Sequence, residues 1–140
     1  MATEDQGKHL EFIQSVIARM GTNSFLVKGW SVTLVAALFA LAAKDSNPEF
    51  VFIAFLPCVL FWLLDVYYLQ QEKLFRDLYD SVRKHDVAVE PYSLHTAKGW
   101  KRFRKLLSAL IAPAVWLFHA AVLAAIMGTI FAIRGKVYIP

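Results

Sequence analysis

Lys28, Asp65 and His119 are the residues whose type and setting most suggest chemistry, because each lies within or against a long apolar stretch. An ionisable side chain in such a setting is costly unless paired or hydrated, and is a functional hypothesis by default. A tight turn at Ser46-Asn47-Pro48 would fold the first two apolar stretches into an antiparallel hairpin. Lys28 lies about 18 residues before that turn and Asp65 about 18 after it, which puts both at one depth. A structural salt bridge is expected. A pore-lining or proton-handling role and independent snorkelling are the alternatives. His119 falls in the middle of the third stretch. There a neutral imidazole bonded to a backbone carbonyl, Thr33 or Ser31 is expected, with a pore or gate role as the rival reading.

A second constellation is cationic. Between Gln71 and Leu107 the chain holds nine Lys/Arg, against only Lys44 between the first two stretches. Arg76, Arg83, Lys84, Lys98, Lys101, Arg102 and Arg104, with Tyr79, Tyr92 and Trp100, could cup an anion, with arginine forks for phosphate and an aromatic ring for a base. The plainer reading is positive charge against anionic lipid. No module for nucleic acid is recognisable.

Other chemistry finds little. There is no glycine-rich phosphate loop, HExxH or GxSxG, and four scattered histidines make no site, so no enzyme and no cofactor are expected. The single cysteine, Cys58, lies inside the second stretch. It excludes an intrachain disulfide and reads as a small apolar residue, and no metal-ligand cluster is visible.

The elements that must position these residues are membrane helices. The chain of 140 residues is 58% hydrophobic, more than so small a soluble domain can hide. The uncharged runs are Trp30–Ala43, Phe50–Leu64 and Ser108–Ile133. A span needs about 20 mostly apolar residues, so spans are predicted at 25–43, 48–70 and 108–133. The expected fold is all-α and integral to the membrane, forming a single membrane domain. The first span should serve as its own uncleaved targeting signal. The Lys/Arg bias puts the connection after span two, and hence the N-terminus, in the cytoplasm. Arg134 and Lys136 argue weakly against this, and a third span that does not fully cross would accommodate them.

Around the spans, Leu10, Ile13, Ile17 and Met20 recur at helical spacing, which predicts an amphipathic helix over 4–20. Gly21-Thr22-Asn23-Ser24 should break it from span one. Pro57 should kink span two. The spacing of Tyr68, Leu69, Glu72, Phe75, Leu78, Tyr79 and Val82 carries that helix on to about residue 85, with Glu72/Arg76 and Asp80/Lys84 as i,i+4 pairs. Residues 86–96 read as a loop with a weak strand hint at Val87 and Val89. Thr96 should cap a basic interfacial helix over 97–107. Ala121, Ala125 and Gly128 share a face that permits close helix packing or a homo-oligomer.

Two stretches carry a family likeness: Asn23-Ser24-Phe25-Leu26-Val27-Lys28-Gly29-Trp30-Ser31, and the run Leu64–Tyr79 that begins Leu64-Asp65-Val66-Tyr67-Tyr68. Over residues 10–85 the chain resembles SLATT-like small bacterial membrane proteins, the two-span effectors associated with nucleotide-signalling and TIR-type defence genes. The resemblance implies an oligomeric inner-membrane effector that permeabilises or depolarises the membrane in antiphage defence. A cytoplasmic sensor protein or a nucleotide second messenger would gate it. Arg76, Tyr79 and Arg83 are then the expected gating surface, and Lys28 and Asp65 the inner mouth. The third span and the lack of an appended sensor domain depart from that family. A holin-like pore protein and a non-catalytic accessory subunit of a larger membrane complex are the alternatives.

Overall fold

The computed structural model describes residues 2–45, 49–84, 90 and 92–137. Among the described residues five α-helices follow in order: α1 (Ala2–Asp45), α2 (Glu49–Ile53), α3 (Phe55–Arg83), α4 (Trp100–Leu110) and α5 (Pro113–Val137). Among the described residues there is no strand. Three segments of the described residues are long and apolar enough to cross a membrane: Glu4–Lys44, Glu49–Arg83 and Pro113–Ala132. The 25 residues of α5 reach about 37 Å. The turn at Ser46-Asn47-Pro48 and the strand hint at Val87 and Val89 lie outside the described residues.

The helix boundaries differ from the sequence reading in four places. No break separates an amphipathic helix from span one, since Gly21 to Ser24 are helical within α1. A glycine costs about 1 kcal/mol in a helix and Thr, Asn and Ser several tenths each. Without a proline these costs do not outweigh the hydrogen bonds and packing on either side. In the second span the kink expected from Pro57 is a full interruption, at Ala54 between α2 and α3. Pro57 explains this, because it cannot donate to the Ile53 carbonyl and its ring crowds that group. The predicted third span divides as well: Ser108 belongs to α4, and α5 begins only at Pro113. Pro113 would crowd the Ala109 carbonyl inside a helix but suits a first turn. The amides of Val115 and Trp116 then donate to Ala112 O at 2.9 and 3.1 Å. Finally, Thr96 caps nothing. The chain is irregular to Lys98, and Gly99 precedes α4 as its N-terminal cap, with φ +60 and its carbonyl accepting from Phe103 N at 3.1 Å.

The chain divides into two compact units. The first comprises residues 1–24 and 66–110, and the second 25–65 and 111–140. In the first, Ile13 and Ile17 of α1 pack on Leu78 and Val82 of α3, with Leu10, Phe75 and Tyr79 alongside. The 3- and 4-residue spacing on each helix makes this stripe. Gln6 Nε2 donates to Val82 O at 2.7 Å, satisfying a carbonyl left open at the end of α3. The α4 helix is fastened to α3 by four bonds, made by three residues of each helix. Gln70 Nε2 reaches Arg102 O at 3.0 Å, Lys73 Nζ reaches Ser108 O and Oγ at 2.8 and 2.7 Å, and Lys105 Nζ reaches Asp77 Oδ1 at 2.8 Å. Tyr92, held at φ 59, donates its hydroxyl to Asp5 Oδ1 at 2.9 Å, while buried His9 bonds Ser93 O at 2.8 Å.

In the second unit Val35 and Ala42 of α1 meet Val51, Ala54, Cys58, and Ile126 and Ile130 of α5. Outside that core the large side chains face outward, among them Phe25, Trp30, Leu56, Leu63, Leu117 and Phe131. No more than 28% of any apolar window is buried. A helix apolar all round with so little protein cover suits a hydrocarbon surrounding.

Candidate functional site

The buried stripe of the second unit is not wholly apolar. On α1 it runs Ser31, Val35, Ala42, with Lys28 one turn before Ser31. Ala54, between α2 and α3, continues it to Cys58 and Asp65 of α3, and on α5 it runs Val115, His119, Ile126, Ile130. Each polar residue thus occupies a position where spacing alone would place an apolar one. They meet at Asp65, whose side chain is fully buried.

Lys28 Nζ donates to Asp65 Oδ1 at 2.6 Å and lies 2.6 Å from Oδ2. His119 Nε2 lies 3.3 Å from Oδ2. The ammonium is also 6.0 Å from the centroid of the Phe118 ring, at the limit of a cation–π contact. Lys28 retains 20% side-chain exposure, so the cluster touches solvent or headgroups only at its lysine end. The pairing of Lys28 with Asp65 offsets two desolvation costs that neither charge could bear alone. His119 takes Asp65, not Thr33 or Ser31, as its partner. Thr33 is committed to Gly29 O at 2.9 Å, and Ser31 Oγ is buried with no hydrogen-bond partner among the described residues. Trp62 Nε1 and His119 Nδ1 are likewise buried and unpartnered. The Trp62 and His119 rings stand 6.5 Å apart and, with Trp116, Ala120 and Leu123, line a cleft of about 180 Å³.

The cationic candidates belong to the first unit, and the structure does not gather them into one cup. Arg76 and Tyr79 line a groove of about 260 Å³ with Gln14, Ile17 and Asp80. Arg76 Nε and Nη2 both donate to Glu72 Oε1, at 3.0 and 2.7 Å. Arg83 pairs with Asp80 at 3.3 Å, in place of the expected Asp80/Lys84 pair. Lys84 is exposed. Trp100, 70% exposed, stacks on Phe103 at 5.4 Å, and the Arg102 side chain is exposed while its carbonyl serves Gln70. The acids beside Arg76 and Arg83 lower the positive potential expected of that surface. Exposed pairs of this kind are worth at most about 1 kcal/mol, so a stronger anion could displace them.

Sequence reasoning missed the fastening residues Gln70, Lys73 and Asp77, although their 3- and 4-residue spacing marks one helix face. It also missed buried His9. The hydroxyl of Tyr92 is held above its usual titration range, chiefly because it donates to the Asp5 carboxylate. Among the described residues no group of His, Cys, Asp or Glu could hold a metal ion. No protein-family model, curated protein or solved structure matches this chain.

Proposed function

We propose that this chain is a multi-pass helical protein of the bacterial inner membrane, with its N-terminus cytoplasmic, that dissipates the membrane potential as an oligomeric effector of antiphage defence. The observation that carries the reading is the Lys28–Asp65–His119 cluster. It is a carboxylate, an ammonium and an imidazole brought together within the most apolar part of the molecule. A lipid-embedded helix can place Leu or Ala at these positions at no cost, whereas charged groups there cost several kcal/mol before pairing. The likeness of residues 10–85 to small bacterial membrane effectors supplies the biological setting. The groove beside Arg76 and Tyr79 is the proposed receiving surface for a cytoplasmic partner or an anionic signal, since α3 carries both it and Asp65 in one helix.

The α4 helix fits the same placement. It contains no acidic residue, and Lys101, Arg102 and Arg104 are exposed beside Trp100, Phe103 and Leu107. Basic and aromatic residues on one short helix suit the headgroup layer. The test is controlled expression in bacterial cells carrying a potential-sensitive dye. A fall in potential at unchanged outer-membrane integrity is expected. A potential equal to that of vector-only cells, with the chain present in the membrane fraction, would remove the reading.

A further inference from the structure

We propose that the ion this protein passes is the proton, and that His119 and Asp65 are its relay. The inference rests on the permeabilising reading above and names what permeates. Its first support is the imidazole. His119 is 2% exposed, its Nε2 faces Asp65 Oδ2 at 3.3 Å, and its Nδ1 is buried with no hydrogen-bond partner among the described residues. A neutral imidazole that donates from Nε2 presents a bare lone pair at Nδ1. Leaving such an acceptor unmade in an apolar interior is expensive, unless it serves a transient partner.

The second support is a space beside His119 on one side of the relay and a partly exposed lysine on the other. The His119 ring forms part of the wall of the 180 Å³ cleft with Trp62, Trp116, Ala120 and Leu123. That volume has room for a few water molecules. At the other end Lys28, partly exposed, covers the Asp65 carboxylate. The groups facing His119 are Asp65 from α3, with Lys28 from α1 behind it, and the rings of Trp62 and Phe118.

The third support is selectivity. A sodium or potassium ion entering this cleft would meet two indoles, an alanine and a leucine, and no set of oxygens to replace its water. The Asp65 oxygens are already occupied by Lys28 and His119, and the lysine charge repels a cation. A proton needs only one hydrogen bond at a time. Water in the cleft would give a proton to His119 Nδ1, forming the imidazolium. The Nε2 proton would pass to Asp65 Oδ2, leaving a neutral imidazole protonated at Nδ1 and a neutral carboxyl group. Asp65 then yields its proton to water at the Lys28 end and regains its charge beside the ammonium. Reorientation of the imidazole then turns Nδ1–H towards Asp65 and the bare Nε2 towards the cleft, so that the next proton enters at Nε2. Each step moves one proton and leaves the net charge of the cluster unchanged over the cycle.

The test uses the full chain reconstituted into vesicles enclosing a pH-sensitive dye, with potassium flux followed in parallel. The variants are His119→Gln, which keeps a donor beside Asp65 but cannot carry a proton, and Asp65→Asn. Wild-type vesicles are expected to acidify while potassium is retained, and His119→Gln to lower proton flux about 100-fold, the scale lost with a positioned proton-transfer group. His119→Gln leaves the Lys28–Asp65 pair intact, so its loss of flux stands even where Asp65→Asn does not fold. Undiminished proton flux in His119→Gln would overturn the relay. Potassium passing as fast as protons would overturn it too, while the permeabilising reading survives. Vesicles that pass neither ion would end both.

Discussion

The ammonium of Lys28 lies 2.6 Å from the carboxylate of Asp65, and Asp65 has no solvent exposure at all. The two residues lie 37 positions apart, one on α1 and one on α3. Removing one partner and removing both should therefore have opposite consequences. Asp65→Ala leaves a partly exposed ammonium without its carboxylate and should destabilise the chain by about 2–3 kcal/mol, less than the loss of one partner of a fully buried pair. The pair of changes Lys28→Met and Asp65→Leu should cost little or even stabilise, because two desolvation penalties vanish together. The double variant should nonetheless lose ion flux. Thermal unfolding in detergent, followed by circular dichroism, separates the three chains.

The proposed receiving surface gives a different pattern. Arg76 and Arg83 form exposed, local pairs with Glu72 and Asp80. Their joint replacement by Ala should change stability by no more than about 1 kcal/mol. It should abolish signal-dependent toxicity at normal expression. Retained toxicity, scored by colony counts after induction, would contradict the assignment of Arg76, Tyr79 and Arg83 to gating.

Lys73 should matter through α4. Its ammonium makes two bonds to Ser108, at the last turn of that helix. Lys73→Met should cost about 2 kcal/mol, the range for a hydrogen bond from a charged donor. It should also make the segment between α3 and α4 more open to protease. Limited proteolysis with mass analysis of the fragments reads this directly, and an unchanged cleavage rate would show that Gln70 and Asp77 suffice.

Tyr92 supplies a pH dependence. Its hydroxyl donates to Asp5, and its pKa is raised above the ordinary 10.0. A raised folded-state pKa means that the stabilising bond is fully present below the unfolded value and is lost as pH rises through the folded one. The Tyr92–Asp5 bond should therefore be intact at neutral pH and break in alkali. Ultraviolet titration of tyrosinate should show one phenol ionising later than the rest, absent in Tyr92→Phe.

The pairing of Lys28 with Asp65 was legible because two apolar stretches of similar length, counted from one expected turn, bring residues at equal distances level. The partner of His119 was not, since no short turn ties α5 to α1 or α3 and its depth depends on packing. Proline acted as the strongest boundary mark. Pro57 explains the interruption at Ala54, but Pro113 was read through because apolar residues flank it on both sides. Gly21 to Ser24 failed as a boundary for the converse reason, since weak helix propensities do not interrupt a helix that neighbours hold. The 3- and 4-residue spacing of Ile13, Ile17, Leu78 and Val82 marked the first unit's core. Nothing in spacing alone distinguished Arg83 from Lys84 as the partner of Asp80.

The claim that this protein dissipates a membrane potential through the Asp65 cluster is tested most directly by reconstituting the purified chain in vesicles that hold a potassium diffusion potential. The wild-type chain should collapse the potential, and the chain carrying both Lys28→Met and Asp65→Leu should leave it standing. A potential that survives the wild-type chain, or that both chains collapse alike, would contradict the account.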